Sequence, residues 1–202
     1  MNSYEKWSLI LNSLIALGLF TISLIALFGG WIRKKIFPAS LAVEILDKNG
    51  ELTILDNGQR VIYYHLRIIN RKPVIVQKCR VFLKKIQKLN ASGQFENIPL
   101  SVPPRYFWTP SETSPEGVDI VMEKIVDFGY IIDNGKDFKP TVTPILNSFK
   151  GNLSIHDTYR YYIETVAENY HPRKFTCVQV SWDGKWTEDL NDMHEHLVIK
   201  II

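Results

Sequence analysis

The run from Leu9 to Phe28 constrains this chain more than any other feature: twenty residues without a charge. A helix rises about 1.5 Å per residue, so the run makes a rod of about 30 Å, the thickness of a bilayer's hydrocarbon core. Its polar members, Asn12, Ser13, Thr21 and Ser23, are small. Hydroxyls can return a hydrogen bond to the backbone of their own helix. Trp7 and Trp31 bracket the run, as amphipathic rings do at the two membrane interfaces. Arg33, Lys34 and Lys35 follow it, whereas the preceding side has Lys6, offset by Glu5, and the α-amino group. This excess of positive charge predicts a cytoplasmic C-terminal part and an N-terminal tail outside. A cleaved signal peptide is the rival reading, but its charge precedes the apolar stretch, which spans only about 7–15 residues.

The expected plan is therefore an N-terminal tail over 1–8, a transmembrane helix over 9–32, a basic juxtamembrane linker over 33–40 and a soluble domain over 41–202. A single pass through an inner (plasma) membrane, such as a bacterial one, fits it. Ala26 and Gly30 form a small-xxx-small pair, a frequent chance event in apolar helices, so the span reads as a lone tether. Arg33, Lys34 and Lys35 are the candidate contacts to anionic lipid.

The formal net charge is +3, and from Ile36 onward basic and acidic residues cancel. The soluble part is then no general polyanion binder, and nucleic acid is not an expected partner. The balance is uneven along the chain. Residues 41–90 hold ten Lys and Arg against four Asp and Glu, and residues 91–202 hold ten against sixteen. A basic half near an anionic leaflet can orient a domain. Cys79 and Cys177 form no disulfide framework and suit a reducing compartment. Two glycosylation-like sequons, at Asn90 and Asn152, matter only for a domain in an oxidising lumen.

Beyond the linker the hydrophobic period changes from 3.6 to 2. Asn49-Gly50, Asn57-Gly58, Asn134-Gly135 and Asp183-Gly184 mark turns. The clearest strand is 60–70, with Tyr64, Leu66 and Ile68 on one face and His65 and Arg67 on the other. In 76–89, Cys79, Val81 and Leu83 point inward, and Lys78, Arg80, Phe82 and Lys84 outward. Five prolines over 98–115 predict an extended loop, neither strand nor helix. Strand character resumes over 118–132, interrupted at Asp127-Phe128-Gly129. Thr187 is placed to cap a short helix through about His194. The expectation is all-β: nine to eleven short strands in an antiparallel two-sheet sandwich, one short helix near the C-terminus, and one transmembrane helix ahead of them. A partly closed barrel is the structural alternative.

Tyr64-x-Leu66-x-Ile68-x-Asn70, a break containing Pro73, and Cys79-x-Val81-x-Leu83 resemble an adjacent strand pair of immunoglobulin-like modules of the fibronectin and adhesin-repeat kind. Tyr159-Arg-Tyr161-Tyr-Ile163 before Trp182 is similar. The resemblance covers about half of the soluble domain. It implies an immunoglobulin-like architecture and transfers no activity.

Chemical motifs are sparse. Asp127-Phe128-Gly129 matches a kinase tripeptide, but the glycine loop and His-Arg-Asp are absent. His194-Glu195-His196 could hold a metal only from a strand, and it falls at a helix end. Cys79 lies between basic residues, which favours a thiolate, yet its inward direction favours packing. Lys78, Arg80, Lys84, Lys85 and Lys88 make a basic strand face carrying one ring, Phe82. No catalytic, cofactor-binding or metal-ligating residue is assigned, and no cofactor is expected. The candidate interaction loop is Tyr106, Phe107 and Trp108. Its rings either form a recognition surface or fold back to plug one end of the domain. The expected role is a membrane-anchored, non-enzymatic interaction protein with a protein partner at the bilayer. A small-ligand sensor or effector of the stress or defence type is the alternative.

Overall fold

The computed structural model describes residues 2–36, 39–110, 117–145, 148–172 and 174–202, and only the backbone of residues 3, 5 and 30–36. The chain forms two compact units, Met1–Pro38 and Ala39–Ile202. The first is the helix α1 (Ser3–Ile36), longer at both ends than the predicted span. Its segment Lys6–Gly29 is long and apolar enough to cross a membrane or to serve as a signal sequence. Inside it Ser13, Thr21 and Ser23 donate to the carbonyls of Leu9, Leu17 and Leu19 at 2.8, 2.8 and 2.9 Å. Each hydroxyl thus bonds one turn back within its own helix.

The second unit is β-rich. Its strands are β1 (Leu41–Ile45), β2 (Glu51–Ile54), β3 (Arg60–Asn70), β4 (Val76–Leu89), β5 (Phe95–Ile98), β6 (Arg105–Thr109), β7 (Val118–Ile120), β8 (Glu123–Ile132), β9 (Asp137–Pro140), β10 (Val142–Thr143), β11 (Leu153–Ser154), β12 (Thr158–Val166) and β13 (Thr176–Trp182), followed by helix α2 (Leu190–His196) and β14 (Leu197–Ile201). Fourteen strands exceed the expected count because β7, β10 and β11 are fragments of two or three residues. All pairings are antiparallel, in the path β1-β3-β8-β6-β4-β12-β13-β14. The two end strands of that path come into contact, so the sheet nearly closes.

β6 is a correction to the predicted loop. Its prolines flank the strand and do not interrupt it, so Arg105–Thr109 is free to pair with both β8 and β4. β6 then follows the period of two: Tyr106 and Trp108 enter the core at 1% and 3% exposure, while Phe107 faces out. Residues 111–116 of the same stretch lie outside the described residues.

Rings fill the interior. Phe128 lies 5.9 Å from Tyr106, 5.6 Å from Phe138 and 5.7 Å from Tyr161, joining four strands. Tyr161 is satisfied by donating to the Gly151 carbonyl at 2.8 Å. Trp182 donates to the Lys185 carbonyl at 3.2 Å. α2 is capped by Asp189, whose carboxylate accepts from the Asn191 amide, and it buries Met193. The expected cap, Thr187, accepts instead from the Asp189 amide and shapes the approach.

Gly129 is the tightest point of β8. A Cβ there would meet the Phe138 ring and lie 2.8 Å from the Lys139 carbonyl oxygen. Gly129→Ala is therefore expected to lose about 1–3 kcal/mol through overpacking, read as a lowered thermal midpoint. An unchanged midpoint would show that β9 gives way freely.

Candidate functional site

β3 sends Tyr64, Leu66 and Ile68 inward and Tyr63, His65 and Arg67 outward, as its alternation predicts. β8 breaks its own alternation. Tyr64 pairs with Gly129 and His65 with Asp127, which leaves Phe128 without an opposite residue. This bulge steps the inward set from Val126 and Phe128 to Ile131. Asp127 and Tyr130, three apart, consequently share the outer face, where an unbroken strand would separate them.

The bulge assembles a small polar cluster. His65 Nε2 lies 3.2 Å from Asp127 Oδ1, and the Thr109 hydroxyl donates to the same oxygen. The Tyr63 ring stacks on His65 at 6.3 Å and tilts against Tyr130 at 5.4 Å. Burial, then Tyr130 and Asp127, push the Tyr63 phenol above its usual range, so it stays a neutral donor at neutral pH. Phe107 pairs in register with Asp127 on the same outer face. Above these, Arg67 reaches Glu44 at 3.2 Å and Glu123 at 3.6 Å.

A notch of about 580 Å³ adjoins His65. Its cause is a split edge strand. β1 leaves β3 after the Ile45–Leu66 pair, and β2 rejoins at Glu51–Tyr63. The Leu46 amide still donates to the His65 carbonyl at 3.1 Å, and residues 47–50 loop away, held by Asn49 donating to Asn191 of α2 at 3.0 Å. Leu46, Asp47, Gly50, Glu51, Leu52 and Leu190 line the notch with His65. In a nucleophile–base relay the imidazole lies between hydroxyl and carboxylate. Here the carboxylate lies between hydroxyl and imidazole, so the cluster orients a histidine and does not activate Thr109.

The other candidates fall elsewhere. Tyr106, Phe107 and Trp108 do not form one exposed loop, and only Phe107 joins the outer face. The backbone of Arg33, Lys34 and Lys35 ends α1, and their side chains lie outside the described residues. Much of the basic face of β4 is paired: Lys78 with Glu168, Lys84 with Glu164, Lys88 with Asp157. Lys85 lies over the Tyr162 ring. His196 Nδ1 meets Asp183 at 2.7 Å, and among the described residues no group of three metal-ligating side chains converges. The His65–Asp127 pair escaped the sequence because 62 positions separate its members. Its one local trace is Gly129 inside a strand pattern, which marks a bulge.

Comparison with protein families, with characterised proteins and with solved structures finds no match to this chain.

Cys79 is fully buried, and burial pushes its thiol from 9.0 up to about 12, with Arg80 pulling weakly the other way. The unfolded thiol ionises first, so the folded state binds more protons within that window, and its stability falls as pH rises through it. Between about pH 8.5 and 10, below the ordinary tyrosine range, the thermal midpoint of Cys79→Ala is expected to fall less steeply than that of the parent. Parallel slopes would contradict the assignment.

Proposed function

We propose that this chain is a membrane-anchored, non-enzymatic interaction protein. α1 is the retained span, and the β unit presents its outer face to a protein partner at the bilayer. Tethering raises the local concentration of the two partners without any new contact between them. The observation that carries the reading is the concentration of half-buried rings, Tyr63, Phe107 and Tyr130, around His65 on one sheet face. Aromatic side chains dominate the energetics of interfaces. The charge run Arg33-Lys34-Lys35 supports a cytoplasmic β unit with the N-terminus outside, in an inner (plasma) membrane of bacterial type.

The architecture is read here as a two-layer, immunoglobulin-like sandwich with β6 as the joint. Support comes from the weak seam at β6, which meets β4 in register only at the Phe82–Arg105 pair. Rings from β8 and β9 pack on Tyr161 of β12 across the interior.

A second reading, a small-ligand sensor or effector, is favoured by the oriented His65 beside the notch. The notch combines carboxylates, an imidazole and leucines, the mixture typical of ligand sites.

A photocrosslinker at position 107 or 130 in native membranes is expected to give a discrete adduct, and one at exposed Lys136 none. Truncating Phe107 and Tyr130 to Ala should weaken that association at least about tenfold, as hot-spot side chains do. Absence of any adduct from both positions would overturn the docking reading. A C-terminal green fluorescent fusion should be bright, and a phosphatase fusion silent. The opposite pattern would reverse the orientation. A thermal shift with a metabolite or nucleotide, lost in His65→Ala, would select the ligand reading.

A further inference from the structure

One end of the β unit is unlike the other. β1 starts opposite Asn70, and the Arg71 amide donates to the Ser40 carbonyl at 2.8 Å, so the chain enters the unit beside the β3–β4 turn. Antiparallel pairing brings the start of β8, the β12–β13 connection and the end of β14 to this same end. Side-chain amides tie the turns together. Asn70 Nδ2 donates to the carbonyls of Val74 at 2.7 Å and Val121 at 3.0 Å. Asn169 Nδ2 donates to the Ile75 carbonyl at 2.8 Å.

What these fixed turns expose is apolar. Ile75 is 51% exposed, Val121 65%, Met122 75% and Phe175 47%. Arg71, Lys72 and Lys174 are exposed around them. Among the described residues the nearby acids are engaged. Glu44 meets Arg71 and Arg67, Glu123 meets Arg67, Glu168 meets Lys78, and Asp119 accepts from the Lys78 amide. The opposite end exposes Asp56, Asp183, Glu188 and Asp189, with Ile54 and Ile155 as its large apolar side chains among the described residues.

Chain length keeps this end within reach of the bilayer that α1 would cross. The apolar span ends at Gly29, α1 continues to Ile36, and the four steps from there to Ser40 reach at most about 14 Å when extended. We infer that this end rests on an anionic bilayer surface. Val121 and Met122 enter the boundary between headgroups and acyl chains, and Lys72 and Lys174 meet lipid phosphates. Shallow apolar insertion combined with basic contacts is the general mode of interfacial binding. The inference rests on α1 being a retained span, and it adds a second, non-covalent attachment that fixes which way the outer face looks.

The test uses the full chain in vesicles of phosphatidylcholine and phosphatidylglycerol. An environment-sensitive fluorophore is placed on Met122→Cys or, as the distal control, Asp56→Cys, both in a Cys177→Ser background; Cys79 is buried. The expected result is blue-shifted emission and quenching by bromolipid at position 122, and quenching by aqueous iodide at position 56. Lys72→Gln and Lys174→Gln should each weaken the contact about fivefold. Equal iodide quenching at both positions, in protein that resists alkaline carbonate, would overturn the surface contact and leave the span standing. Extraction by carbonate would overturn both. Blue-shifted emission that persists unchanged in purely phosphatidylcholine vesicles would overturn the anionic component.

Discussion

The ring of Phe128 is the constraint on which the β unit turns. It is the unpaired residue of the β8 bulge, and it packs among rings from β6, β9 and β12. A bulge bends its strand and strengthens local twist, which is what a sheet needs in order to curl toward closure. The same extra residue realigns the outer face. Without it, Asp127 and Tyr130 could not both stand beside His65 and Tyr63. Interior packing and the exposed cluster are thus two results of one irregularity, and a change that straightened β8 would disturb both.

The apolar helix was plain in the sequence because twenty uncharged residues admit few structures. Inward and outward assignments along β3 and β4 were equally plain, since alternation is a local signal: Cys79, Val81 and Leu83 are buried as read. β6 was not legible. Prolines at positions 103, 104 and 110 suggested a broken segment, although they stand just outside a five-residue strand that pairs with β4 at Arg105 and with β8 from Phe107 to Thr109. Near-closure was open only as the alternative of a partly closed barrel, because choosing it over a sandwich depends on β1 and β14 meeting across the whole domain. The His65–Asp127 pair needed the β3–β8 register, which no short window contains. Asp127-Phe128-Gly129 stood out in the sequence, and its meaning is geometric: the glycine lets β9 approach while the bulge turns the aspartate outward.

Among the described residues, much of the charge is paired within the β unit. Lys78, Lys84 and Lys88 each face a carboxylate, and Arg60 meets both Asp133 and Glu188. Exposed pairs of this kind contribute little to stability, about 0–1 kcal/mol each. Their effect is to cancel the basic stripe that the sequence displays, so that sequence charge overstates surface charge. What remains distinctive is the placement of rings and aliphatic groups: half-buried aromatics on one face, bare isoleucine, valine and methionine at one end.

The entry of the chain through β1 has a mechanical side. Five consecutive residues, Leu41 to Ile45, are zipped to β3 in unbroken register. Ladder hydrogen bonds run perpendicular to the strands. Tension drawn along β1 from its first residue therefore loads the whole ladder in shear, and the bonds must fail together. A load applied sideways would open them one by one. The strand that follows α1 in the chain is thus attached in the geometry that best resists a pull along its own axis.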